Sequence, residues 1–186
     1  MRLHITYLAQ SGWLIEDDHR FLLFDYWQGK LPFIVNDSQK PLLVFVSHAH
    51  FDHYNPDIFT IFSERENTDF YLSDDIDSPP TGAITLREGD QRSIAGGQLH
   101  AFGSTDAGLS FLLTFPEYSL FHAGDYNLWH WPLEPTASEI HTAEQDFYRM
   151  LNDLAKFRIG LACFPVDSRQ KEDYDRGARE FATTLN

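Results

Sequence analysis

The sequence predicts a single mixed α/β domain made of two halves, with sheet packed on sheet and helices outside. Three observations lead there. A chain of 186 residues supports one domain with a proper core and is short for two. Short apolar runs of strand character fill residues 2–25 and 82–122, and helix-like stretches lie elsewhere. A turn crowded with histidine, His48-Ala49-His50-Phe51-Asp52-His53, leaves the end of the apolar run Leu42-Leu43-Val44-Phe45-Val46.

In chain order, Leu3, Ile5 and Tyr7 alternate with polar partners, the pattern of a half-buried strand. Ser11-Gly12 breaks it before Trp13-Leu14-Ile15, and Asp17-Asp18-His19 turns into a third strand, Phe21 to Phe24. Asp25 closes that strand, either as a plain turn residue or as a carboxylate that orients an imidazole from behind. Residues 26–41, with Gly29, Pro32, Asn36 and Pro41, read as a loop. The run at 42–46 is β-branched and aromatic, hence a buried strand. Asn55-Pro56-Asp57 reads as a helix start, with Ile58, Phe59 and Phe62 as its apolar stripe to about Glu66. A strand at Asp69 to Ser73 then implies a parallel crossover.

The acidic, proline-containing connection Asp74 to Pro80 separates two halves, about 1–80 and 81–186, of one domain spanning 1–186. Segments Ala83–Leu86, Arg92–Ala95, Gln98–Phe102, Leu109–Phe115 and Tyr118–Phe121 read as an antiparallel meander. Gly124-Asp125 comes next, then an aromatic loop holding Trp129, His130 and Trp131. Ser138 is placed to cap a helix reaching Phe157, whose Phe147, Met150, Leu151 and Leu154 recur at spacings of three and four. A strand at Ile159 to Pro165 and a helix at Tyr174 to Leu185 end the chain.

The formal charge of −14 disfavours a nucleic-acid partner, since phosphate contacts need a basic surface, and disfavours an anionic membrane surface. A lone Cys163 excludes an internal disulfide framework and, with no apolar segment of signal or spanning length in the sequence, points to a soluble cytoplasmic protein. The partner expected is a small-molecule substrate; no oligomeric state follows from these residues.

Imidazole and carboxylate side chains at alternate positions of a strand-end turn suit a borderline divalent cation such as zinc, manganese or iron. Four donors so close divide naturally into His48 with His50 on one ion and Asp52 with His53 on a neighbour. His48, His50, Asp52 and His53 follow the pattern His-x-His-x-Asp-His, and the chain there resembles the metallo-β-lactamase superfamily. Gly124-Asp125 matches that family's later aspartate, and the phrase Phe121-His122-Ala123-Gly124-Asp125 is similar to the L-ascorbate-6-phosphate lactonase-like branch.

The resemblance implies a four-layer αββα sandwich and a metal ligand set of His48, His50, Asp52, His53 and Asp125. It implies one or two divalent ions, Zn2+ first with Mn2+ or Fe2+ as alternatives, and places Asp52 and Asp125 at the reacting centre. Two ions sharing Asp125 would generate a metal-bound hydroxide, suited to a small ester, lactone or phosphoester. Two departures stand out. The loop Gly103–Gly108 lacks the family's next histidine, so Asp106 is read either as an oxygen ligand in its place or as part of a polar turn. The family's last histidine lies on a strand after the final helix, where this sequence ends, so the fold is expected to be C-terminally incomplete. His122 and His130 are the internal candidates for that imidazole, His122 read as structural and His130 as the one that would reach the site; Trp129 and Trp131 are candidate pocket walls, and Asp25 is the candidate group behind the ligands. The alternative to a hydrolase is a metal-binding protein with an incomplete site, used for sensing or structure. Nucleic-acid processing of the superfamily's tRNA-nuclease kind is disfavoured by the acidic balance.

Overall fold

The computed structural model describes residues 2–37, 39–129 and 137–185. Among them, two sheets pack face to face. The first runs in the order β1 (His4–Ala9), β2 (Gly12–Glu16), β3 (Phe21–Phe24), β4 (Leu42–Val46), β5 (Thr68–Ser73) and β6 (Ile84–Leu86). The first three pair antiparallel, and β3 through β6 pair parallel. The second sheet holds β7 (Gln91–Ile94), β8 (Gly97–Phe102), β9 (Ser110–Thr114) and β10 (Ser119–His122) as an antiparallel meander. Its far edge is β11 (Leu161–Cys163), parallel to β10 because a long helix carries the chain back between them.

Strand alternation decides which layer each side chain enters. Leu22, Phe24, Leu43 and Phe45 point between the sheets and meet Phe111, Leu113 and Leu120. Their neighbours Phe21, Leu23, Leu42 and Val44 point outward and are covered by Val35, Ile58 and Phe62. The short helices α1 (Ile34–Asp37) and α2 (Ile58–Ile61) supply Val35 and Ile58. Across the molecule, Leu112 and Phe121 point away from the inter-sheet core toward α3 (Ala137–Leu154) and α4 (Arg176–Leu185), through Phe147, Met150, Leu151, Leu154 and Phe181. The result is the αββα sandwich. Each fully buried Leu or Phe contributes about 1.5–3 kcal/mol of transfer free energy, so β4, buried along its whole length, firmly anchors the histidine turn at its end.

Three expectations need correction. Residues 26–41 are not wholly loop, since α1 makes one turn there and buries Val35. The helix expected to run to Glu66 is a single turn, Ile58–Ile61. Asn55 caps locally instead, its Oδ1 accepting the Asp57 N–H at 2.9 Å, while the expected stripe holds, with Ile58 and Phe62 buried and Phe59 partly buried against the core. The first segment of the supposed meander, β6, belongs to the first sheet, pairing Tyr71 with Ile84 and Ser73 with Leu86 in parallel. Burial of Leu86 between the sheets favours that placement over a place beside β7.

Candidate metal centre

β4 ends at Val46, and the chain turns at once into the histidines. The turn is tied down locally: the His50 carbonyl accepts the N–H groups of His53 and Tyr54, each at 3.0 Å, and Asp75 accepts the Ala49 N–H at 3.0 Å. Two glycines bring the second sheet against it. Gly108 has φ +65°, and a Cβ there would lie 2.1 Å from the Ser47 carbonyl oxygen and 2.4 Å from His48 Cβ. Gly124 has φ +55°, and its Cβ would lie 2.8 Å from the Leu109 carbonyl and 2.9 Å from Ser47 Cβ. Both positions need the left-handed backbone that glycine adopts freely. Close packing of the loop before β9 and the turn after β10 onto Ser47 therefore sets Asp125 opposite the histidines.

One imidazole nitrogen each of His48 and His50 and one carboxylate oxygen of Asp125 lie within 4.8 Å of one another. His48 is fully buried, and His50 is exposed. His53 Nε2 lies 3.2 Å from Asp125 Oδ1, and His48 Nε2 lies 3.4 Å from Asp125 Oδ2. Asp52 is half-buried on the same turn, with the Gln10 amide 3.4 Å from its Oδ2, and does not join the trio.

Asp25 sits behind this group, fully buried, with φ +43° at the end of β3. Its Oδ1 accepts the Ser47 N–H at 2.7 Å. Its Oδ2 accepts the Ser47 hydroxyl at 2.7 Å, His122 Nε2 at 2.8 Å and His53 Nδ1 at 2.9 Å. Burial alone would raise the Asp25 pKa, but the facing His122 and His53 rings outweigh it and hold the group ionised, well below the usual carboxylate range. An ionised Asp25 is acceptor-only, so His53 and His122 must each turn an N–H toward it. Burial alone would lower the His53 pKa, but its bonds to Asp125 and Asp25 push it up to about 10. His48 moves the other way: burial, then the neighbouring His53, lowers it and keeps it neutral.

His48 Nδ1 is 3.0 Å from Ser47 Oγ, whose hydrogen is given to Asp25, so Nδ1–H donates and Nε2 carries the lone pair. That buried Nε2 has no hydrogen-bond partner and faces a carboxylate oxygen. A lone pair opposed to a carboxylate inside a protein is unfavourable without a positive charge between them. The residues present therefore fit a divalent ion. His48, His50 and Asp125 would hold it, and Asp25 and Ser47 would set the imidazole orientations.

A cavity of about 520 Å³ opens beside Asp125. Tyr7, Trp13, Trp129 and Phe164 give it aromatic walls, His122 and Cys163 line it deep between the sheets, and Arg169 lines it beside Asp167. Trp129 is held by its indole N–H, which donates to the Asp125 carbonyl at 2.9 Å. Arg169 makes a two-pronged pair with Asp167, Nε donating at 2.8 Å and Nη2 at 2.5 Å to Oδ2. Asp106 is exposed and lies outside the trio, its own N–H held by Ser104 Oγ at 3.3 Å, which is the geometry of a polar turn. His130 and Trp131 lie outside the described residues. His122, one of the two internal candidates for the missing imidazole and read from the sequence as structural, lies outside the trio and bonds Asp25 instead.

A family model described as a beta-lactamase superfamily domain matches residues 4–132. No curated protein matches the chain. Among solved structures, the chain is similar to Igni18, a metallo hydrolase from Ignicoccus hospitalis, at 17% identity and TM-score 0.69, over 98% of this chain and 78% of that one. It is similar to CmlA, a diiron beta-hydroxylase from Streptomyces venezuelae, at 13% identity and TM-score 0.59, over 98% of this chain and 43% of that one. A Thermotoga maritima protein of the metallo-beta-lactamase superfamily aligns at 13% identity and TM-score 0.50, over 100% of this chain and 71% of that one. At these identities the likeness is one of fold.

Proposed function

This chain belongs to the beta-lactamase superfamily, and on that premise we propose a metal-dependent hydrolase acting on a small ester, lactone or phosphoester. The observation that carries the reading is the convergence of His48, His50 and Asp125 donors within 4.8 Å, at the edge of a cavity with aromatic walls. Fold alone does not choose the reaction, as a diiron hydroxylase shares it, so the argument rests on the site.

His48, His50 and Asp125 would hold one ion, and His53 with Asp52 would join Asp125 in holding a second. The nitrogen and oxygen donor set suits zinc and tolerates manganese or iron. A divalent ion there supplies a Lewis acid that lowers the pKa of bound water toward neutrality and polarises a carbonyl or phosphoryl oxygen. The chain's own part is positional. Asp25 turns His53 so that Nε2 faces Asp125, and Ser47 does the same for His48. Trp129, anchored on the Asp125 backbone, brings an apolar wall next to the reacting centre and excludes water from that side. The substrate partner is accordingly a small molecule with an apolar or ring-bearing part.

The test is metal content by elemental analysis, together with turnover of ester, lactone and phosphodiester panels by the zinc-, manganese- and iron-loaded chain. At least one bound ion per chain, with turnover abolished by a chelator and by Asp125→Ala, is expected. Bound metal without turnover across all three panels would sink the hydrolase and leave the metal-binding alternative.

A further inference from the structure

We propose that His122 is a positioning residue of the metal centre, a strut between the sheets that holds Asp25 in place and so sets His53 against Asp125. The inference rests on the metal-centre reading above and adds a residue that reading does not require. His122 ends β10, three residues before Asp125, and reaches across the sandwich to Asp25 at the end of β3 with an Nε2 to Oδ2 distance of 2.8 Å. The same oxygen holds His53 Nδ1 at 2.9 Å. One carboxylate thus registers a ligand-bearing turn of the first sheet against the strand that delivers Asp125 from the second.

The surroundings of His122 show what the imidazole is for. Its ring is stacked between Phe24, at a centroid distance of 4.7 Å, and Phe111, at 6.5 Å. It is 1% exposed. A phenylalanine would fill this aromatic slot without a polar atom. The imidazole instead leaves Nδ1 buried with no hydrogen-bond partner, which costs free energy because a desolvated polar atom goes unpaired. What offsets that cost is the donor it gives Asp25. Because Asp25 is acceptor-only, the Nε2–H tautomer of His122 is enforced, and the donation runs toward the carboxylate. Loss of that donor leaves Asp25 held by Ser47 and His53, both on the first-sheet turn, without the tie that registers it against β10.

The experiment uses the full chain and its H122F and H122Q variants. Zn2+ affinity is read by competition with a chromophoric chelator, the Co2+ absorption spectrum reports the ligand field, and circular dichroism melts report folding. H122F, which keeps the stack, is expected to fold and to bind Zn2+ about tenfold more weakly or worse, with shifted Co2+ bands. H122Q, whose amide nitrogen can reach the Nε2 place, should recover most of the affinity. Wild-type affinity and an unchanged Co2+ spectrum in H122F would overturn the proposal, as would a loss that follows unfolding alone with no rescue by Gln. Imidazole nitrogen NMR of the metal-free chain decides the strut independently of any metal. It should show His122 protonated at Nε2, with a His53 Nδ1–H signal that moves in H122F; His122 protonated at Nδ1 alone would overturn it. A wild-type chain that takes up no Zn2+ breaks the metal-centre reading, and one that binds Zn2+ as expected but hydrolyses nothing breaks only the hydrolase.

Discussion

On the first-sheet side of the metal centre, four candidate donors fall between His48 and His53 on one turn, whereas the second sheet brings a single carboxylate, Asp125. The turn inherits its place from β4, which is buried along its whole length and flanked by parallel strands on both sides. Asp125 has no such local crowd. It depends on two glycine-mediated close approaches and on whatever registers β10 against β3. One side is thus specified by sequence proximity, and the other by packing. The side built by packing should be the easier to disturb from a distance.

Removing the group common to both sides should have the largest effect. Asp25→Ala leaves the Ser47 N–H, the Ser47 hydroxyl and two imidazole N–H groups without their buried acceptor. A loss of about 3–5 kcal/mol is expected in urea unfolding of the metal-free chain; a loss under about 1 kcal/mol would mean that the network is replaceable by water.

The next effect falls on the packing side alone. Gly108→Ala places a Cβ against the Ser47 carbonyl and His48 Cβ in a left-handed conformation. About 2–3 kcal/mol is expected from backbone strain and forced repacking together. The same substitution at Gly89, which also has positive φ but open space around it, should cost less, through the backbone alone. Equal costs at the two positions would remove close approach as the cause.

The subtlest test concerns protons. The His53 pKa is raised from 6.5 to about 10 by Asp125 and Asp25 against the opposing pull of burial, so protonated His53 stabilises the metal-free fold fully below about pH 6.5. That contribution fades as pH rises through 10. The Asp25 pKa is shifted the other way, so its contribution is present above the ordinary carboxylate range and is lost on acidification. Metal coordination at His53 Nε2 must expel a proton, so Zn2+ uptake at pH 7–8 should release about one proton from this ring. Calorimetry in buffers of different ionisation enthalpy measures it, comparing the wild type with His53→Asn. No difference between the two would take His53 out of the metal shell.

Much of the fold was legible in the residues. The three N-terminal strands, the buried β4 and the amphipathic α3 announce themselves through period 2, an unbroken apolar run and spacings of three and four. The misreadings have local causes. Asn55-Pro56-Asp57 carries helix-start chemistry, yet Asn55 Oδ1 accepts the Asp57 N–H and its amide donates to the Trp27 carbonyl at 3.0 Å, so the chain is held as a turn. β6 has no periodic signal that tells one sheet from another. Its choice is made by Tyr71 and Leu72 offering an open edge in register. His122 reads as structural and no more, because nothing in its neighbourhood hints at a carboxylate 97 positions away.

By itself, the sequence determined that a strand ends in a cluster of imidazoles and carboxylates, because side chains on one short turn share a neighbourhood whatever the rest of the chain does. Asp125 and Asp25 were candidates by resemblance and by place at a strand end; only the tertiary structure brings them to the turn, Asp125 in front and Asp25 behind, and makes His122 span the sheets. Those are contacts between the ends of β3, β4 and β10, strands far apart in the chain, and they exist only once two apolar sheet faces have been pressed together.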